Sequence, residues 1–210
     1  MKKFLCLISM LCIALLLTAC GSTAEKSAAS TPPQQPESAS TAPAPESSGS
    51  RTLVAYFSAT GNTKVLAETA AAALGADLFA IEPTDPYTSA DLNYNDKGSR
   101  STVEQNDPAS RPQIKNRIEN LAQYDTIVIA YPIWWSEEPR IIDTFMESYD
   151  FSGKTLVPIC TSGGSDIAQS AASISAVTTG AATWKDGRRF ESGTRADDLR
   201  AYFGEIGILK

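Results

Sequence analysis

One short stretch, Phe57-Ser58-Ala59-Thr60-Gly61-Asn62-Thr63, gathers hydroxyls, an amide and a glycine with no charged side chain among them. Ser58, Thr60 and Thr63 can each donate an O–H, Asn62 can donate from its amide, and Gly61 lets the backbone approach a ligand with no Cβ in the way. That donor set suits a phosphate. Two other phosphate loops are excluded, because the chain contains neither GxxxxGK[ST] nor GxGxxG. The nearby cation, Lys64, belongs on a solvated helix face, which leaves neutral donors and backbone amides to hold the anion.

Two further stretches could complete a site. In Tyr131-Pro132-Ile133-Trp134-Trp135, adjacent tryptophans follow an apolar run and are hard to hide together, so at least one is expected to wall a flat site. Thr161-Ser162-Gly163-Gly164-Ser165 can present backbone N–H groups to a polar ligand edge. The chain has no histidine at all, which removes His-based triads and most zinc sites.

The elements that must position these stretches follow from periodicity. Leu53 to Phe57 reads as a buried strand, and Leu66, Ala70, Ala73 and Leu74 have helical spacing up to a stop at Gly75. The first loop therefore joins a strand to a helix N-terminus, whose N–H groups and dipole favour an anion. Asp77 to Ile81, Thr126 to Tyr131 and Thr155 to Cys160 read as further strands, the middle one apolar on both faces and so central in a parallel sheet. Pro158 removes a ladder donor, so a bulge or an unpaired edge is expected there. Pro112 is expected to open a helix with Ile114, Ile118 and Leu121 inward, and Pro139 another with Ile141, Ile142, Phe145, Met146 and Tyr149 inward. Glu82 to Pro112 is polar and takes no regular assignment. Asp166 to Ile174 reads as helix, Ala181 to Trp184 as a weak fifth strand, and Lys185 to Arg188 as a turn. Leu199, Tyr202, Phe203 and Ile206 give a last helix capped near Thr194. Strands alternating with helices make a doubly wound sheet, with ligands outside the carboxyl ends of its strands. Ser58–Thr63, Pro132–Glu137 and Thr161–Ser165 should converge there.

The first stretch resembles the FMN-phosphate loop of flavodoxins, whose usual form is an aromatic residue, then Ser, any residue, Thr, Gly, Asn, Thr. The Trp pair is similar to the flavin loop of a branch of small flavodoxins, as is the scatter of Tyr87, Asp91-Leu92, Tyr94, Glu104 and Arg111-Pro112. In that branch a glycine commonly follows the second Trp, whereas Ser136, Glu137 and Glu138 follow here. The resemblance covers Leu53 to Ile206. It implies a flavodoxin-like three-layer α/β sandwich with a five-stranded parallel sheet in the order 2-1-3-4-5, and FMN as cofactor. The cofactor-binding residues it implies are Ser58, Ala59, Thr60, Gly61, Asn62, Thr63, Pro132, Ile133, Trp134, Trp135, Thr161, Ser162, Gly163 and Gly164. Glu137 and Glu138 beside the ring would lower its potential.

The chain's first part reads differently. Lys2 and Lys3 precede an apolar run from Phe4 to Leu17, closed by Thr18-Ala19-Cys20, which describes a secretory signal over residues 1–19. Cys20 resembles the lipidated first residue of bacterial lipoproteins. Residues 20–50, rich in Ala, Ser, Thr and Pro, cannot bury enough surface to offset ordering entropy and are expected to be a disordered tether to one domain over 51–210. Once Cys6 and Cys12 leave with the signal and Cys20 carries lipid, Cys160 is the one free thiol, expected to be a buried residue at a strand end.

The formal net charge of −6, made more acidic by loss of Lys2 and Lys3, argues against nucleic acid. Three functions then compete. They are an extracytoplasmic, lipid-anchored electron carrier exchanging with a redox protein or small acceptor, an FMN-dependent reductase of a quinone or other small acceptor, and an interaction module without flavin.

Overall fold

The structure, a computed structural model, describes residues 51–209. The signal segment, the tether and Cys20 lie outside these residues. Among the described residues no helix is long and apolar enough to cross a membrane.

Strands β1 (Thr52–Tyr56), β2 (Asp77–Ala80), β3 (Thr126–Pro132), β4 (Thr155–Thr161) and β5 (Thr183–Trp184) form a parallel sheet in the order β2-β1-β3-β4-β5. A short β6 (Arg188–Phe190) rejoins the edge of β4. The helices are α1 (Asn62–Leu74), α2 (Arg100–Asn106), α3 (Arg140–Glu147), α4 (Ala168–Val177) and α5 (Ala196–Glu205). This is the flavodoxin-like order expected above.

Alternation along the strands divides the core into two layers. Val54, Val128, Ala130, Val157 and Ile159 pack with Leu66, Ala67 and Ala70 of α1 and Leu199, Tyr202 and Phe203 of α5. Leu53, Ala55, Ile127, Ile129, Tyr131 and Leu156 face the other way, against Ile141, Ile142, Phe145 and Met146 of α3 and Ile174 of α4. α3 thus begins at Pro139 with the expected inward face, and Tyr149, just past its end, packs there partly buried. α1 stops at Gly75, whose N–H donates to Ala71 O.

The segment after Pro112 forms no helix. Thr84 N–H donates to Gln113 O, Lys115 N–H to Glu82 O, and the Asn116 amide to Ala80 O, while Asn116 Oδ1 accepts from Glu82 N–H. These bonds tie the chain as an extended strap beside the end of β2, with a bridge from Pro83 to Ile114, and leave only a 3₁₀ turn at Leu121–Gln123. Ile114, Ile118 and Leu121 still pack on the core, so the apolar spacing marked burial and not a helix.

The expected turn at Lys185–Arg188 is a break within the fifth strand position. Leu156 pairs with Trp184 and Ile159 with Arg188, so Val157 and Pro158 stand opposite the longer run Lys185, Asp186 and Gly187. The extra residue makes a bulge. It sits at Pro158, which has no N–H to give. A Cβ on Gly187 would stand 2.8 Å from Pro158 Cγ and 3.0 Å from Ile167 Cδ1, so only glycine fits there unshifted. Asp186 O, pushed out by the bulge, accepts from Tyr202 Oη at 2.6 Å. At the start of α5, Thr194 does not cap the helix. Its hydroxyl donates to Glu191 O, and Arg195 holds the cap position without a side-chain bond.

Candidate functional site

The carboxyl ends of β1, β3 and β4 open into one cleft of about 400 Å³. Ser58, Ala59, Thr60, Asn62 and Thr63 line it from the first loop, Pro132, Ile133 and Trp134 from the second, and Thr161, Ser162 and Gly163 from the third. The three stretches singled out in the sequence therefore meet. Gly61, Trp135 and Gly164 belong to the same loops but are not among the lining residues. No Lys or Arg lines the cleft, and Lys64 stands exposed on α1, 3.8 Å from Glu68.

The first loop keeps two hydroxyl protons unspent. Ser58 Oγ accepts from Gly61 N–H at 3.1 Å, and Thr60 Oγ1 accepts from the Asn62 amide at 3.4 Å, so both hydroxyl protons remain free. Gly61 caps α1 at φ 92°, a left-handed conformation that glycine takes without steric cost. The first bond inside the helix runs from Val65 N–H to Gly61 O, so the N–H groups of Asn62, Thr63 and Lys64 precede it with no intrahelical partner. Thr63 is buried, and its hydroxyl meets that of Thr161 at 2.8 Å, which fastens the first loop to the third.

The two tryptophans part company. Trp134 is 4% exposed and lies edge-on to Phe57, with ring centroids 5.7 Å apart, and to Tyr87, at 5.2 Å. Trp135 is 41% exposed and stands against Tyr94, 4.6 Å between centroids. The turn carrying them is closed by Trp134 N–H to Glu137 O and Glu137 N–H to Trp134 O, with Trp135 and Ser136 both at positive φ, 47° and 69°. Ser136 thus occupies the conformation for which a glycine would be the easy choice.

Glu137 and Glu138 do not face the cleft, contrary to expectation. Glu137 accepts from Arg140 Nη2 at 2.6 Å and from the amides of Gln105 and Gln169. Glu138 is fully buried on the α3–α4 side, where it accepts from Ser173 Oγ. Burial pushes its carboxyl up to about 8. Burial likewise raises Asp143. Neither carboxylate is placed to repel charge arriving in the cleft.

Two further walls come from outside the three stretches, one of them through Tyr94, which the resemblance offers with Tyr87 as a candidate for the flavin edge although the sequence favours surface packing for it. Leu92 and Tyr94 enter from the polar Glu82–Pro112 segment, and Phe190, Glu191 and Ser192 from the end of β6. The polar segment is ordered by turns in which side chains bond backbone: Asp91 accepts from Thr88 N–H, Asn93 from Asn95 N–H, and Ser101 Oγ donates to Asp91 O. Arg100 lies over the Tyr87 ring at 4.1 Å and bonds Glu104, which also takes the Tyr87 hydroxyl. The signal for the β6 wall was topological, since a fifth strand must also end at this rim.

Cys160 is wholly buried near the end of β4, and burial pushes its thiol up to about 12, which makes it an inert packing residue. Among the described residues no cluster of three or more Asp, Glu, Cys or His could hold a metal.

A parallel α/β sheet whose strand order reverses beside β1, with a helix start and three loops lining a cleft there, belongs to the doubly wound class of proteins, which bind ligands at that point. The flavodoxin family model matches residues 51–206, and the chain belongs to that family. A candidate flavoprotein from Bacteroides eggerthii DSM 20697 is 49% identical, with a TM-score of 0.71 over 76% of this chain and 99% of its own. Another from Bacteroides uniformis ATCC 8492 is 42% identical, with a TM-score of 0.68 over 74% and 99%. A flavoprotein in complex with FMN from Lactobacillus acidophilus NCFM, 20% identical with a TM-score of 0.51 over 67% and 93%, shares the fold. No curated protein matches the chain.

Proposed function

We propose that the FMN carried by this flavodoxin-family chain lies in the cleft between Ser58–Thr63, Pro132–Trp134 and Thr161–Gly163, and that the protein is an electron carrier. The observation that carries this reading is the meeting of unspent hydroxyls, free N–H groups at the start of α1 and an aromatic wall in one cleft without a cation. Those donors fit a phosphate, and Trp134 with Ile133 fits the edge of a flat ring. When bound, the flavin supplies the redox chemistry, while the protein fixes its place and access.

The chain's own residues do the holding. Ser58, Thr60 and Asn62 donate to the phosphate, and the α1 dipole adds to them. The Thr63–Thr161 bond keeps the first and third loops at a fixed spacing. Phe57 and Tyr87 brace Trp134 from behind. The decisive experiment is anaerobic mixing of the reduced protein with a one-electron dye and, separately, with a quinone plus a nicotinamide donor. Fast exchange with the dye and no steady quinone turnover is the expected result. Sustained turnover would instead establish a small-acceptor reductase, a reading favoured by the way Leu92 and Tyr94 form a further wall over the cleft.

The carrier works outside the cytoplasmic membrane, tethered through lipid on Cys20. The basic start, the apolar run and Ala19-Cys20 support this. Fatty-acid label should enter the wild-type chain and be lost in Cys20→Ser. Equal labelling of both would reject the anchor.

A further inference from the structure

Behind the cleft lies a buried charged cluster that the proposed electron carrier does not use. Among the described residues, four buried side-chain atoms lack a hydrogen-bond partner, and all belong to it: Gln105 Oε1, Glu138 Oε2, Arg140 Nε and Asp143 Oδ1. Glu138 is 0% exposed, Asp143 2% and Arg140 6%. Arg140 reaches Glu137 at 2.6 Å, Asp143 at 3.4 Å and Glu138 at 3.5 Å. The second guanidinium, Arg111, is 3.7 Å from Asp143 but is already held by both oxygens of Glu147. One buried cation thus serves three carboxyl groups.

Ionised carboxylates only accept hydrogen bonds, so a fully ionised Glu138 and Asp143 leave two buried oxygens with no donor. Both carboxyls stand on the same nitrogen, Arg140 Nη1, at 3.5 and 3.4 Å, and one proton between them supplies that donor and removes the surplus negative charge. We infer that Glu138 and Asp143 share a proton at neutral pH, and that this proton positions the Trp134–Glu137 turn of the cleft.

The link to the turn is Arg140. While the pair is singly charged, Arg140 is free to give its short bond to Glu137, whose backbone closes the turn on Trp134. That grip holds Trp135 and Ser136 at positive φ, where non-glycine residues relax if released. Loss of the shared proton places a second negative charge 3.4 to 3.5 Å from Arg140 and draws it off Glu137. Glu138 is therefore a positioning residue for the cleft, and not a catalytic one.

The other groups facing the pair do not supply the switch. Ser173 and Gln169 of α4 and Gln105 of α2 are neutral. The Tyr131 phenol on β3 is pushed up by burial and stays protonated. Glu147 is held below its ordinary value chiefly by its bonds from Arg111, and Glu137, though burial pushes it up, is brought below its ordinary value by the combined bonds from Arg140 and Gln169.

The test follows tryptophan fluorescence of the full chain against pH, beside the Glu138→Gln variant, whose amide mimics the protonated acid. The wild type should change signal with a midpoint near 8, and Glu138→Gln should keep the low-pH signal throughout. The native chain holds the extra proton between 4.5, the ordinary Glu value, and about 8. Wild-type unfolding free energy therefore falls as pH rises through that window, and the variant flattens the fall. An unchanged midpoint in Glu138→Gln, or a wild type without a transition, overturns the inference. Should Glu138→Gln not fold, the infrared spectrum of the wild type decides. A protonated-carboxyl C=O band present at neutral pH and lost well above the midpoint upholds the shared proton, and its absence at neutral pH refutes it. These readouts register the proton whether or not flavin is bound, so their outcome is separate from that of the flavin assignment.

Discussion

The two faces of the sheet are built on different principles. The α1–α5 face is closed with hydrocarbon: Val54, Leu66, Ala67, Ala70, Leu199 and Phe203 fill it, small alanines let α1 lie close, and Tyr202 sends its hydroxyl to a bulge carbonyl. The α3–α4 face carries the aromatic cluster of Phe57, Trp134, Phe145 and Phe151, and into it is set the network of Glu137, Glu138, Arg140 and Asp143. An apolar face can only be well or poorly filled. A face with buried charge has a second variable, its protonation, and here that variable sits directly behind a loop of the cleft.

Breaking the charged face should cost most. Arg140→Met leaves Glu137, Glu138 and Asp143 without their shared cation, and stranding buried carboxylates should destabilise by about 3–5 kcal/mol in urea unfolding. Much of that loss should be recovered at acid pH, where the carboxyls are protonated. The matching cut on the other face is Leu66→Ala, which opens a cavity under α1 and should cost about 2–5 kcal/mol. Its loss should be the same at every pH, and that flatness is what separates the two faces.

The smallest effect sharpens the contrast at the rim. Glu147 accepts from Arg111 at 2.7 and 2.8 Å but is 40% exposed, so Glu147→Gln should cost under about 1 kcal/mol after solvent screening. Its carboxyl lies below the ordinary value because of the Arg111 bonds. Its contribution is present above the ordinary carboxylate range and disappears as pH falls through the lowered folded value. This is opposite in direction to Glu138, so the two variants should tilt the pH–stability curve at opposite ends.

The difference between the faces also explains what the sequence let one read. Buried strands, the Pro139 helix and the hydroxyl loop are local signals: a run of β-branched residues, a 3.6 period, a set of donors beside one glycine. Pro158 announced its bulge because a missing N–H is a local fact. The Pro112 helix failed because Asn116 and the Glu82–Thr84 backbone compete for the same groups from a distant part of the chain. Glu137 and Glu138 were expected in the cleft because they follow the tryptophans, whereas the positive-φ turn at Trp135 and Ser136 and the pull of Arg140 send them behind it. Tyr94 and Glu191 reach the cleft only through the turns of the polar segment and the break at Gly187, which no periodicity encodes.

The central claim is that hydroxyls and peptide N–H groups of Ser58–Thr63, with no cationic side chain, grip the FMN phosphate. Its most direct test is titration of the protein with FMN and with riboflavin, which differ only in that phosphate. Two or more charge-assisted bonds predict that FMN binds at least ~100-fold tighter. Thr60→Val with Asn62→Leu should narrow that gap by about 10-fold or more while leaving riboflavin binding as it was. Equal affinity for the two flavins, or binding of neither, would contradict the account.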